Sequence, residues 1–192
     1  MNWIENLLIL IGISLDIFAG MECQGSLVAK VDKKLLAKVC ALVAVWQLAA
    51  LYVGTVLARL LYVKDLARNE RFLGTVLAAV IFFCLGVRLI VKAIKNERIN
   101  ERREENLGFK RFWRLAAVAS VYTLLTGIAF GFLGTNLTVI LIMIVCLTVA
   151  VVVMGTYTGY HLGFEHKTKA YIGGAVLLWI AGFDVVFRYL MK

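Results

Sequence analysis

The sequence predicts an all-α integral membrane protein with six transmembrane helices in two inverted three-helix repeats. Three observations support this fold class. The 192-residue chain is 62% hydrophobic and has a mean hydropathy of +0.88, whereas soluble domains are about half apolar. Its apolar residues fall into six runs of roughly 20 residues, the length that crosses a bilayer. Short motifs also recur between the two halves. We therefore expect a single transmembrane domain over residues 1–192.

Six apolar runs give the predicted helices, with short connections between most of them. The first run has no basic segment before it and is too long for a signal peptide, so it is predicted to be a membrane helix. Residues 95–111 are charged and are expected to form a solvated cytoplasmic loop between repeat 1 (about 1–94) and repeat 2 (about 112–192). The runs are Trp3–Gly20, which can extend to Val28, Leu36–Tyr62, Phe72–Ile94, Phe112–Leu133, Leu137–Tyr160 and Ala170–Leu190.

The basic residues predict the orientation of the chain in the membrane. Most of the 21 lysines and arginines lie in or beside the first, third and fifth connections. The side richer in these residues is normally cytoplasmic, so both termini are expected to face outside. The formal net charge of +9 is explained by this topology. The expected surrounding is therefore the lipid bilayer, and no nucleic-acid partner is expected.

Two weak sequence echoes suggest an internal repeat. Residues 72–74 (FLG) and 171–173 (YIG) open helices 3 and 6, and residues 14–16 (SLD) and 120–122 (SVY) occupy helices 1 and 4. With three helices in each half, the second copy enters the membrane from the opposite side. Many secondary transporters have this inverted plan, with the substrate site near the midplane where the repeats meet.

Asp16 is the leading candidate for a functional residue because it lies inside the first apolar run. Burying a charge at bilayer depth costs about 2.5–3.5 kcal/mol on insertion scales, so such a residue should face the protein interior or a watery cavity. Gly12, Gly20 and Cys23 share its helical stripe, and small residues leave room for an ion or a second helix. The alternative is a structural carboxyl that joins two helices.

Glu22 is a second acid close to the first helix. It is about 240° around a continuous helix from Asp16, so the two carboxylates converge only if the helix unwinds near Gly20 or Gly25. Otherwise Glu22 lies at the cytoplasmic end, in a vestibule or in the headgroup layer.

Three further polar residues lie inside later runs. Gln47 of helix 2 can offer an oxygen ligand or a hydrogen bond between helices. Asp184 of helix 6 can line the pathway or pair with Arg188 one turn later. Arg88 of helix 3 is expected to reach the cytoplasmic interface with its long side chain.

Helix 5 repeats small residues at Gly155, Gly159 and Gly163, a pattern that favours close helix packing. His161 and His166 follow near the cytoplasmic end, where a two-histidine metal site is a weak alternative to two surface histidines.

The cysteines and the absence of soluble catalytic motifs limit the function classes. No phosphate loop, zinc-type Cys/His spacing or Ser/His/Asp order occurs, so neither an enzyme nor a resident cofactor is expected. The cysteines form no CxxC pair and are expected to be buried small hydrophobic residues, although the one beside Glu22 can meet a soft metal ion. They are Cys23, Cys40, Cys84 and Cys146.

Residues 14–19 (SLDIFA) resemble the first-helix signature of the bacterial manganese efflux pump family (MntP-type), within the wider LysE-like exporters. The similarity extends over essentially the whole chain. It includes residues 84–88 (CLGVR) at the end of helix 3, residues 131–136 (GFLGTN) at the turn between helices 4 and 5, and residues 172–174 (IGG) in helix 6.

This resemblance implies a six-helix exporter of the bacterial plasma membrane that moves Mn²⁺ out of the cytoplasm, coupled to the proton gradient; a homodimer remains open. Asp16 would be the ion ligand, and Gln47 falls where the family often has a helix 2 acid. The helix 4 acid of the family is replaced by Tyr122, with Thr123 beside it. With fewer charges the site would hold Mn²⁺ less well or select another cargo.

The leading hypothesis is therefore a divalent-cation exporter of the manganese type that works by proton antiport. Two alternatives remain: a LysE-like exporter of another cation or small solute, and a membrane scaffold or partner subunit that no longer transports. The candidate metal residues, with Asp16 as central ligand, are Asp16, Gln47, Thr123, Glu22, Asp184 and Tyr122.

Overall fold

A computed structural model gives the fold for residues 3–27, 32–65, 70–95, 109–163 and 165–190. These residues form six helices, and each is long and apolar enough to cross a membrane. A chain in lipid must satisfy its backbone hydrogen bonds internally, and the absence of proline lets each long run stay helical. The helices are α1 (Trp3–Ser26), α2 (Lys33–Asp65), α3 (Glu70–Lys95), α4 (Phe109–Phe132), α5 (Leu137–Leu162) and α6 (Lys167–Leu190).

The predicted all-α membrane fold is confirmed, with helix bounds close to those read from the sequence. The ends agree to within about three residues, except at the end of the first run. There α1 continues as one helix to Ser26, so the break near Gly20 or Gly25 that would let Asp16 and Glu22 converge does not occur. Most of the charged connection that was expected to be a solvated loop, residues 96–108, lies outside the described residues.

Helix α1 lies at the centre of the bundle. It packs against α5 and α6, while α4 packs against α2 and α3; α3 also packs against α6, and α1 touches α4. A larger share of α1 is buried than of any other of the six spans, and α5 is the least buried. The central position of α1 takes its polar residues away from lipid.

Glycines bring α1 and α5 into close backbone contact, as the spacing in helix 5 predicted. A Cβ atom added at Gly155 would lie 2.9 Å from the carbonyl oxygen of Phe18, and one at Gly159 would collide with the carbonyl oxygen of Glu22. Gly163, the last glycine of this series, instead ends α5 with a φ of 74°, a conformation that favours glycine.

The cysteines differ in part from the expectation that all are buried. Cys23 and Cys40 are partly buried, but Cys84 and Cys146 are exposed on the outer surface of the bundle. A small apolar side chain has as favourable a surrounding in lipid tails as in a protein core. The outer surface of a membrane bundle therefore accepts cysteine where a soluble protein would bury it.

Candidate functional site

Asp16 lies near the middle of α1 and is 6% exposed. Its Oδ1 atom accepts a hydrogen bond from the Lys92 ammonium of α3, with the Nζ–Oδ1 distance at 2.7 Å. Lys92 comes from the last turn of α3, and its long stem carries the charge inward from the helix end. The two opposite charges together reduce the cost of placing a carboxylate at bilayer depth.

Aromatic rings surround the ammonium group of Lys92. Its Nζ lies 4.5 Å from the centre of the Tyr122 ring and 5.7 Å from that of Tyr171, distances at which a cation is attracted to an aromatic face. The Arg88 guanidinium is 4.7 Å from the Tyr122 ring, although Arg88 is otherwise exposed. Tyr122 is buried, and within the described part of the chain its hydroxyl has no hydrogen bond of good geometry, although the Lys92 ammonium lies close to it.

Lys92 is a functional candidate that the sequence did not predict. By position it is one of the basic residues beside the third connection, which predict only the orientation of the chain. One signal could have identified it: Lys92 follows Arg88 by one helical turn, inside an apolar run that continues to Ile94. The structure thus brings together Asp16 and Tyr122, two of the predicted site residues, through a lysine that was not predicted.

Gln47 is joined to α5 rather than to Asp16. Its side chain is 1% exposed and its amide contacts the hydroxyl of Thr148, which also donates to the carbonyl oxygen of Ile144 at 2.6 Å. A hydroxyl has one proton to donate, so the contact is best satisfied when the Gln47 amide nitrogen faces Thr148. Of the two roles that the sequence allows for Gln47, the hydrogen bond between helices is therefore present.

Thr123 is also buried, and its hydroxyl donates to the carbonyl oxygen of Ala119 in the preceding turn, at 3.3 Å. Among the described residues, no hydrogen bond or ion pair joins Thr123 or Gln47 to Asp16.

Glu22 connects the end of α1 to the start of α6. Its side chain is 0% exposed, and Oε1 accepts a hydrogen bond from the backbone N–H of His166 at 2.9 Å. The ring nitrogen Nδ1 of His166 is 3.8 Å from the same oxygen. A carboxylate at the N-terminus of a helix is favoured by the helix dipole. Since α1 is continuous, Glu22 and Asp16 stay on different faces.

The other residue considered for a histidine site, His161, packs its ring edge-on against Tyr160 with 5.0 Å between ring centres.

Asp184 lines an open groove near the end of α6, together with Phe183, Val186 and Phe187. The side chain of Arg188, its predicted partner, lies outside the described residues.

Within the described ranges, no three His, Cys, Asp or Glu side chains lie close enough together to hold a metal ion. A hard cation at Asp16 would therefore need oxygen ligands from hydroxyl groups, backbone carbonyls or water, which Mn²⁺ and similar ions accept.

Comparison with known families identifies the chain. The family model Mntp, described as "Putative manganese efflux pump", matches residues 30–186. The chain belongs to this family. A relative named "Putative manganese efflux pump MntP" from Methanosarcina acetivorans is 25% identical over 186 residues, which cover 95% of each chain. One of the same name from Mannheimia succiniciproducens is 24% identical, over 93% of this chain and 92% of its own.

A shorter match has the same name and comes from Pseudomonas syringae pv. tomato; it is 27% identical over 117 residues, or 59% of this chain and 60% of that one. No solved structure matches the chain. The low identities make this protein a divergent member of the manganese efflux pump family, and its six apolar helices make it a multi-pass membrane protein.

Proposed function

We propose that this protein exports divalent metal cations, with Mn²⁺ as the main substrate, and that Asp16 is the central ion ligand. One observation carries the proposal: a carboxylate is buried in the middle of the central helix, and its ion pair among the described residues is with the flexible side-chain cation of Lys92. A carboxylate at this depth is a functional candidate by default. The family, whose members are named for manganese efflux, supports Mn²⁺ as the cargo.

The remaining ligands would be oxygen atoms near the carboxylate. Tyr122 would contribute its buried hydroxyl, since its ring contacts the same Lys92 ammonium that Asp16 binds. Gln47 and Thr123, both 1% exposed, would join the shell when the helices shift. Glu22 and Asp184 would act as acids along the route, near the cytoplasmic and outer ends respectively.

Transport would follow an alternating-access scheme between two inverted three-helix halves. In two related halves, α1 corresponds to α4, α2 to α5 and α3 to α6. The α1–α5 contact should then have a counterpart between α4 and α2, and the α1–α6 contact a counterpart between α4 and α3. All four contacts are present. This pattern of contacts supports two related halves. One half would rock against the other around Asp16, and a proton would replace the metal on the return step.

The orientation follows the basic residues. Both termini would face outside, and the Lys- and Arg-rich connections would be cytoplasmic. With this orientation, α1 carries Glu22 to the cytoplasmic end, so cations leaving the cytoplasm would meet it before Asp16. The chain would reside in the bacterial plasma membrane.

A second candidate keeps export but changes the cargo to another cation or small solute of the LysE-like class. Two observations favour it: the absence of a three-ligand cluster among the described residues, and the tyrosine at position 122, where the family resemblance implies an acid. A less charged cargo would suit a site with one carboxylate.

Export from a host that lacks its own manganese exporter tests the proposal. Cells carrying the parent protein should tolerate manganese and hold little of it, whereas Asp16→Asn should raise cellular manganese to the level of cells without exporter. The matched control is Glu165→Gln, which removes one carboxylate charge at an exposed position and should behave like the parent.

Export by Asp16→Asn at the parent's rate would contradict the site assignment. If cells carrying the parent protein tolerate manganese no better than cells without exporter, but export another metal or an amino acid, the second candidate is favoured. A chain that exports nothing would favour the scaffold alternative.

A further inference from the structure

Lys92 occupies the position that an exported cation would need. Its ammonium is 2.7 Å from Oδ1 of Asp16, so a cation can bind this oxygen only by displacing the ammonium, and a cation at Oδ2 alone would lie close to a like charge. We propose that Lys92 is a specificity-determining residue: a tethered ammonium that keeps monovalent cations off Asp16 and yields only to cations of higher charge. This inference rests on the proposed function, because it takes Asp16 to be the ion ligand.

The covalent tether of the ammonium explains why a free monovalent cation would not displace it from Asp16. A sodium or potassium ion brings the same charge as the ammonium, so its Coulomb attraction to the carboxylate is similar. The free ion must however compete with a group whose effective concentration at the site is set by a short side-chain tether, which gives it a lasting advantage.

A divalent cation has the advantages that a monovalent one lacks. Its charge doubles the attraction to Asp16 at equal distance, and it gathers several oxygen ligands at once. Tyr122 offers one buried hydroxyl close by. Displacement of Lys92 therefore selects for ions that combine higher charge with multiple coordination.

The Lys92 ammonium can move away from Asp16 without entering lipid. Lys92 has a flexible stem, its side chain is 30% exposed, and its Nζ already lies between the rings of Tyr122 and Tyr171. Withdrawal toward Tyr171 and the end of α3 would keep a cation–π contact. The short travel makes the displacement reversible, as a transport site requires.

Arg88 contacts the same aromatic ring as Lys92. The Arg88 guanidinium and the Lys92 ammonium lie 4.7 and 4.5 Å respectively from the centre of the Tyr122 ring. Lys92 is the cation of the two that forms the ion pair with Asp16, so its ammonium occupies the carboxylate when no divalent cation is present.

Manganese binding to the purified full-length protein in lipid nanodiscs tests this inference. Mn²⁺ is titrated calorimetrically in sodium chloride and in choline chloride of equal ionic strength. The parent should show the same affinity in both salts, and Lys92→Arg, which keeps a cation at this position, should match its insensitivity to sodium. In choline chloride, Lys92→Met should bind Mn²⁺ roughly tenfold more tightly than the parent does, because the tethered competitor is gone. Its affinity for Mn²⁺ should fall several-fold when sodium replaces choline.

A Lys92→Met protein with the parent's affinity in both salts would overturn the inference, as would a folded Lys92→Met protein that no longer binds Mn²⁺. Lys92→Gln, whose amide can still donate to Asp16, gives the same sodium readout if the methionine variant does not fold. If neither neutral variant folds, Lys92 is needed for stability alone and the inference fails.

Asp16→Asn separates this inference from the proposed function. If it binds Mn²⁺ like the parent, Asp16 is not the ligand and the proposed function fails. If it loses Mn²⁺ binding while Lys92→Met remains insensitive to sodium, only the role of Lys92 is refuted. The double variant Asp16→Asn/Lys92→Met carries no charge at the pair and serves as the control for folding.

Discussion

Replacing Gly159 by alanine should weaken the contact between α1 and α5. A Cβ atom at this position would collide with the backbone carbonyl of Glu22. The obstacle is backbone rather than the end of a flexible side chain, so one helix must move. The matched control is Gly173→Ala in α6, where the new Cβ would lie 3.7 Å from Cδ1 of Leu15, an ordinary van der Waals distance.

The magnitude follows from two opposing effects. Alanine is favoured over glycine in a helix interior by about 1 kcal/mol, whereas overpacking a tight contact costs about 1–3 kcal/mol. At Gly159 the collision is with backbone, so the overpacking cost should be at the upper end of its range and lower the free energy of unfolding by up to about 2 kcal/mol. At Gly173 only the favourable effect operates, so this variant should be as stable as the parent or slightly more stable.

Unfolding in mixed micelles with increasing denaturing detergent measures both variants against the parent. Initial rates of manganese export give a second readout, because α1 and α5 belong to different halves of the proposed repeat and a shift between them should slow transport. Equal stability of the two alanine variants would refute the reasoning, since it would mean that the two helices are not in backbone contact at Gly159.

Three further outcomes are expected. In a double-mutant cycle, Asp16→Asn and Lys92→Met should each destabilise the fold by about 1–3 kcal/mol, and the double variant by less than their sum, because each single variant leaves one buried charge unpaired; additive losses would contradict the ion pair. Glu22→Gln should speed hydrogen exchange at the amide of His166, because the N–H of His166 donates a hydrogen bond to the Glu22 carboxylate and a neutral amide is a weaker acceptor. An unchanged rate would argue against this contact. In membranes, Cys84 should resist maleimides until the protein is unfolded in aqueous detergent, because maleimides react with the thiolate, an anion that lipid does not solvate, and Cys84 is exposed on the outer surface of the bundle. Rapid labelling in intact membranes would place it in water.

The fold could be predicted from the sequence because lipid leaves few choices. A run of about 20 apolar residues without proline has to form a helix when no water can satisfy its backbone. Asp16 could be recognised as a candidate for the same reason, since a charge inside such a run must face the protein. The exact end of α1 was less certain, because residues such as Gly20 and Gly25 are compatible with a break as well as with close packing.

The partners of the buried polar residues could not be predicted in the same way. Gln47 could be an oxygen ligand or form a hydrogen bond between helices, but helix 5 contains several threonines and no pattern selects Thr148 as its partner. Glu22 binds a backbone N–H at the start of α6, a group that every residue except proline carries. Such contacts depend on how the helices are placed, which a single sequence does not determine.

Lys92 shows why the direction of a long side chain depends on its tertiary surroundings. A lysine in the last turn of a membrane helix usually extends toward the headgroups, and its sequence position alone gives no reason to expect otherwise. Here α1 presents Asp16 to the interior side of α3, and Tyr122 supplies an aromatic face where the family resemblance implies an acid. The inward direction is then favoured by two attractive contacts at once.

The tyrosine at position 122 and the lysine at position 92 are therefore best understood together. With an acid at position 122 in addition to Asp16, Lys92 alone would leave one negative charge to be balanced by another cation such as Arg88. With tyrosine there, the Asp16–Lys92 pair is neutral by itself at the depth where charge is most costly, and Arg88 adds a positive charge at the exposed side of the site. If Asp16 binds a divalent cation that displaces the ammonium, the carboxylate and its bound cation together carry one positive charge, whereas binding without displacement would add two. The loss of the second acid is then compatible with cation export.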